Sequence, residues 1–164
     1  MKQQRVPRVS LVIEDERWRK GEATLKLIRR AARLALKEAA RLHAGKGVTI
    51  LLADDACLRR LNRQFRGKNK ATNVLSFGAN DSCYLGDVAL ARDSVEKQAR
   101  AQKKSVSSHA AHLVVHGILH LLGYDHAKEI DAATMERLET VILSRLGLSD
   151  PYTPRPYTRA RKAA

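Results

Sequence analysis

The sequence is short of acid. Seventeen Asp and Glu stand against 31 Lys and Arg, a formal net charge of +14 at pH 7 with a pI near 10.3. An imbalance of this size in 164 residues points to a polyanionic partner. Aromatic residues are scarce too, at 4 % of the chain, which is poor material for stacking bases in series. Contact with phosphates is therefore expected ahead of base reading. The two cysteines, Cys57 and Cys83, have no CxxC spacing, and they read as ordinary reduced thiols rather than ligands or redox centres. No apolar run approaches the roughly 18 residues of a membrane span. The opening "MKQQRVPRVSLVIEDE" reaches acidic residues soon after a short apolar stretch and lacks the core of a signal peptide. A cytoplasmic protein with no membrane partner is the expectation.

What is present fits one domain of ordinary size, able to bury a core without disulfides. "RVSLVIED" reads as a first strand. Leu25, Ile28, Ala32, Leu36 and Ala39 recur at three and four and predict a long amphipathic helix, stopped by Gly45 and Gly47. "VTILLAD" is a second strand, after which Asp54 or Asp55 can cap a helix to about Gln64. "TNVLSFG" and "CYLGDVALA" supply two more strands. Asp93 and Glu96 have the spacing of a capping box for a helix from about Ser94 to Gln102. Ser107 or Ser108 is expected to cap a histidine-rich helix, and a last helix runs from about Asp131 to Leu146. The fold class is α+β: a single domain, residues 1–150, with a small mixed four-stranded sheet packed with helices, one of them a His-rich metal-binding helix. Residues 151–164 form a basic Pro/Arg tail that is expected to be disordered.

Five of the six histidines fall within "HAAHLVVHGILHLLGYDH", His109 to His126. His112, His116 and His120 are spaced by four and share one helix face. At 1.5 Å per residue, His112 and His120 stand about 12 Å apart along the axis. Two nitrogens on one zinc stand roughly 3.5 Å apart, as Zn–N distances of about 2 Å require. One ion can take 112/116 or 116/120, and its third ligand must come from elsewhere. Gly123 follows His120 by three residues and can leave the helix at positive φ. The chain can then turn back and bring His126 to an ion held by His116 and His120. HxxxHxxGxxH is the ligand arrangement of metzincin peptidases. Three imidazoles leave a fourth position open for water, as in catalytic zinc sites. His109 and His112 are expected to pack or hydrogen-bond beside the site.

The peptidase reading lacks one part. In HExxH enzymes the Glu after the first His is the general base, and here that position is Gly117. Asp125 can orient a ligand or accept a proton, or simply stabilise its turn. No cluster of several carboxylates suggests a two-magnesium nuclease. An open metal site on so basic a chain favours a phosphodiester substrate, whose cleavage places extra charge on phosphoryl oxygens that a fixed guanidinium can stabilise. "RRLNRQFRGKNK", Arg59 to Lys70, has six basic residues and no acid, and spacing does not choose among them.

"LNRQFRGKNKATNVLSF", "LGDVAL" and "HLVVHGILHLLGYDH", in this order, resemble the bacterial YbeY family of metallo-endoribonucleases. The resemblance implies a zinc-dependent, single-strand-specific endoribonuclease with one Zn2+ per chain. It implies His116, His120 and His126 as metal ligands and Arg66 of "FRGK" as the catalytic arginine. Arg59, Arg63, Lys68 and Lys70 remain as RNA-binding candidates, and DNA is not an expected partner. The implied role is 16S ribosomal RNA 3′-end maturation, rRNA processing and late-stage 70S ribosome quality control, with the ribosome or its small subunit as partner. A ribosome-associated RNA-binding protein with a structural zinc is the alternative, and a metzincin-like peptidase is a distant third.

Overall fold

The computed structural model describes residues 6–39, 45–125 and 129–153. The elements are β1 (Val9–Ile13), a 3-10 turn (Glu16–Lys20), α1 (Glu22–Ala39), β2 (Gly47–Ala53), α2 (Asp55–Arg66), β3 (Val74–Gly78), β4 (Tyr84–Ala91), α3 (Arg92–Ala101), α4 (Val106–Leu121) and α5 (Glu129–Arg145). The four strands make one mixed sheet in the order β1-β2-β4-β3. β1 and β4 both run parallel to β2, and β3 runs antiparallel to β4 along the edge. The domain is thus α+β, as the sequence predicts. No helix among the described residues is long and apolar enough to cross a membrane.

Strand alternation divides the apolar residues between two faces. Val48, Ile50, Leu52, Val88 and Leu90 join the main core with Ile28, Ala32 and Leu36 of α1 and Val114 and Ile118 of α4. Burying a side chain such as Ile118 contributes about 1.5–3 kcal/mol. The opposite face carries Ala53, Leu75, Ala89 and Ala91, covered by Cys57, Leu58 and Leu61 of α2. One long helix pair therefore seals the first face, while a single shorter helix lies on the second. Trp18 is fully buried, and its indole N–H donates to the Ala53 carbonyl at 3.0 Å.

Two helix starts differ from the sequence reading. α3 begins at Arg92, directly off β4, and its N-cap Ala91 has no side chain to cap with. Asp93 instead accepts from the Asp55 amide at 3.1 Å, while Asp55 accepts from the Ser94 amide at 2.9 Å. The N-termini of α2 and α3 lie side by side, so each acid serves the other helix's orphan amide. Glu96 pairs with Arg92 rather than completing a capping box. α4 is capped by Ser105, whose hydroxyl accepts from the Ser108 amide at 3.0 Å. The Ser107 hydroxyl is engaged elsewhere, 2.5 Å from that of Thr24 on α1.

Candidate active site

α4 leaves its helix as its sequence predicts. Gly123 has φ +94. Its amide donates to the His120 carbonyl at 3.0 Å, and the Tyr124 amide donates to that of Leu119 at 3.0 Å. These are the two bonds of a Schellman turn, which satisfies carbonyls that the helix end would orphan. His116 and His120, one turn apart, line the same cleft just before this turn. Their Nε2 atoms are 3.1 Å apart.

Glu139 of α5 sits behind this pair. It is fully buried, and it accepts from His116 Nδ1 at 2.5 Å and from His112 Nε2 at 2.9 Å. The Tyr152 hydroxyl donates to the same carboxylate. Burial alone would push the Glu139 carboxyl up, but hydrogen bonds from His112, His116 and Tyr152 outweigh it and hold the pKa at about 2. Burial and the neighbouring carboxylate push the Tyr152 hydroxyl well above the ordinary range, so it stays a donor. Because Nδ1–H of His116 is spent on Glu139, its Nε2 carries the lone pair toward the cleft. This is the carboxylate–histidine arrangement that orients metal ligands. Ring nitrogens on one zinc stand roughly 3.5 Å apart at Zn–N distances of about 2 Å, so a small opening of this pair would let it share an ion. Among the described residues no group of three His, Cys, Asp or Glu is arranged to hold a metal. The third expected ligand, His126, lies outside the described residues.

Arg66, Lys68 and Lys70 line this cleft, of about 780 Å³, together with the two histidines. Arg66 is the last residue of α2, and one guanidinium nitrogen donates to the Ser76 carbonyl of β3 at 2.8 Å. Asp125 lines the same cleft. Arg59 and Arg63 do not line it, and the Arg59 guanidinium donates to Asn69 at 2.8 Å. The basic run is therefore split, with three of its cations on the cleft that the histidines line. Beneath the cleft, Asn73 donates to Gln98 Oε1 at 2.8 Å, and the buried His109 donates to the same oxygen at 2.8 Å. Burial first, then the charges of His112 and Lys104, lower the His109 pKa to about 4. His109 and His112 thus act as supports.

Gly117 explains the missing glutamate of the HExxH pattern. A Cβ at this position would stand 2.6 Å from Val88 Cγ1 and 3.0 Å from the Ser76 hydroxyl. The residue after His116 faces the sheet, not the cleft, and α4 packs too close to β4 for any side chain there.

A family model described as Endoribonuclease YbeY matches residues 12–147. The chain belongs to the YbeY family. Endoribonuclease YbeY of Rhizobium etli (strain CFN 42) is 43 % identical over 157 residues, spanning 88 % of this chain and 92 % of that protein. Endoribonuclease YbeY of Bradyrhizobium diazoefficiens is 39 % identical over 163 residues, spanning 93 % and 89 %. The solution structure of a Thermotoga maritima protein matches with a TM-score of 0.53 at 21 % identity, covering 89 % of this chain and 99 % of that one. It shares the fold seen here.

Sequence reasoning missed two residues of this site. Glu139 lies far from the histidines along the chain, but it stands as an acid within "LETVIL", among residues that a helix would bury. Such a placement signals a paired buried charge. Tyr152 falls in the segment assigned to the tail, where nothing local marks it. Its ring packs edge-on to His112 with centroids 5.9 Å apart.

Proposed function

We propose that this chain is a zinc-dependent endoribonuclease specific for single-stranded RNA. His116, His120 and His126 hold one Zn2+, and Arg66 is the catalytic arginine. It acts in 16S ribosomal RNA 3′-end maturation, rRNA processing and late-stage 70S quality control, on the ribosome or its small subunit. The observation that carries this reading is one cleft lined by both the paired imidazoles and three cations. Membership of the YbeY family supports the same activity.

A zinc held by His116 and His120 would supply Lewis acidity, the chemistry that lowers the pKa of water and polarises phosphoryl oxygen. The remaining work falls to the chain's own residues. Glu139 fixes the His116 ring and its tautomer. Arg66 is steadied on the β3 edge by one nitrogen, leaving donors to bridge two phosphate oxygens and stabilise the charge that builds during cleavage. Lys68 and Lys70 bind flanking phosphates as point charges. Asp125, on the cleft lining, is the candidate proton acceptor.

The test is cleavage of labelled single-stranded RNA, with and without chelator, by the native chain and by His116→Ala. Cleavage that needs both the metal and His116, and that spares DNA and duplex RNA, is the expected result. Arg66→Ala should lower the rate at saturating RNA by about 10²-fold with metal content near native, and Arg66→Lys should restore little. Undiminished cleavage by His116→Ala would overturn the assignment of the site. RNA binding with metal retained and no cleavage would return the chain to the RNA-binding alternative.

A further inference from the structure

The sheet face covered by α2 is covered only in part. Past the end of that helix lies an open groove of about 770 Å³, with Val12, Thr49, Leu51 and Asp87 along the sheet and Phe65 and Phe77 among its walls. The chain contains two phenylalanines, and both stand here. Their ring centroids are 5.3 Å apart at 59°. Phe65 is 61 % exposed, and Val12, which also lines the groove, is 45 % exposed. A domain with so few aromatics has left one on its surface next to an apolar floor.

The groove is continuous with the active-site cleft. Arg66, Ser76 and Gly78 line both. The Arg66 guanidinium lies 5.8 Å from the centre of the Phe77 ring, on the ridge between the two depressions. A polyanion bound by Arg66 on the cleft side therefore has an apolar, aromatic pocket within reach on the other. One polar device sits in that pocket. The Tyr84 hydroxyl donates to one oxygen of Asp87 and is itself 2.7 Å from the Thr49 hydroxyl. This holds the carboxylate in place with its second oxygen left to accept.

We propose that this groove is a subsite for one unstacked nucleobase of the RNA strand whose backbone crosses Arg66. The base stacks on Phe65 with the Phe77 ring, tilted by 59°, at its edge, and guanine is favoured because its N1–H and N2–H2 edge can engage both Asp87 oxygens, one of them shared with the Tyr84 hydroxyl. The inference rests on the endoribonuclease reading for the identity of the strand. The occupant is a base because the pocket joins an aromatic wall, a lone acceptor and a phosphate-binding cation on one continuous path. Single-stranded RNA is read by this combination of stacking and edge hydrogen bonds. A duplex keeps its bases stacked and paired, so it cannot fill the groove. The site thereby gives a physical source for single-strand preference.

The test uses oligouridylates carrying one guanine, one inosine or one 2-aminopurine, mixed with the full metal-loaded chain in stopped flow so that binding is read ahead of cleavage. The guanine strand should bind about tenfold more tightly than plain oligouridylate, since its edge makes one more hydrogen bond to a charged acceptor than uracil can, and such a bond contributes a factor of about that order. The 2-aminopurine fluorescence should be quenched on binding. Phe65→Ala should erase both effects, Phe65→Trp should retain them, and Asp87→Asn should remove the difference between guanine and inosine. Metal content reports that each variant is folded. A guanine preference and quenching that survive Phe65→Ala would overturn the subsite and leave this face to a protein partner. Chelator-sensitive cleavage of the same strands is scored separately, so loss of the subsite and loss of the nuclease reading are told apart.

Discussion

Glu139 is the residue on which the site's precision rests. A fully buried carboxylate is costly unless it is well hydrogen-bonded, and here two imidazoles and a phenol supply three donors. Glu139→Gln keeps the volume but offers His116 a weaker acceptor. Metal affinity should fall 10–100-fold, as for other partners of metal-ligating histidines, in competition with a chromogenic chelator. His109 gives a different signature. It is 3 % exposed and its pKa is lowered to about 4, against an ordinary value of 6.5. The unfolded chain therefore binds a proton between these two values that the folded chain refuses. Stability is whole above 6.5 and falls as pH drops toward 4, by about 3 kcal/mol at most. His109→Gln, which keeps a donor for Gln98, should flatten that fall in denaturant titrations across the window.

At the scale of elements, much was legible wherever a local rule decides. Asp54 caps α2 by accepting from the Cys57 amide at 2.8 Å, and Gly123 ends α4 at positive φ. The apolar periodicity of α1 appears in buried Ile28, Ala32 and Leu36. Rules that depend on neighbours far along the chain were not legible. Asp93 and Glu96 match a capping box, but the adjacent start of α2 captures Asp93. The sheet order, with β4 between β2 and β3, follows from packing on both faces and leaves no mark in any one segment. Nor does spacing show that Phe65 and Phe77 meet, since α2 and β3 first have to pack together. The exchanged caps can be tested. Asp55→Ala and Asp93→Ala should each cost about 1 kcal/mol. The double variant should cost less than their sum, because each single change already disturbs both helix starts. Equilibrium urea unfolding of the four proteins gives the cycle.

Over the whole molecule, a charge of +14 secures attraction to RNA without saying where the strand lies. The fold resolves that by dividing one basic run between two surfaces. Lys68 and Lys70 line the cleft, whereas Arg59 and Arg63 do not. Removing the two lysines together should shallow the slope of log affinity against log salt for single-stranded RNA by about 1.4. Removing Arg59 and Arg63 should change it much less. Filter binding over a salt series distinguishes the pairs, and equal effects would mean that the strand does not follow the cleft.

The bond from Arg66 to the Ser76 carbonyl has a bearing on solubility. β3 is an edge strand, and a free edge invites pairing with another copy of the chain. By occupying one carbonyl of that edge with a charged, bulky group, Arg66 acts as a gatekeeper against intermolecular sheet growth. Arg66→Ala should therefore scatter more light on concentration than the native chain, and Arg66→Lys, which keeps the charge, should scatter less than the alanine variant. Bound RNA, lying across the same ridge, should suppress the scattering of the native chain further. The guanidinium assigned to chemistry would then also keep the enzyme dispersed between turnovers.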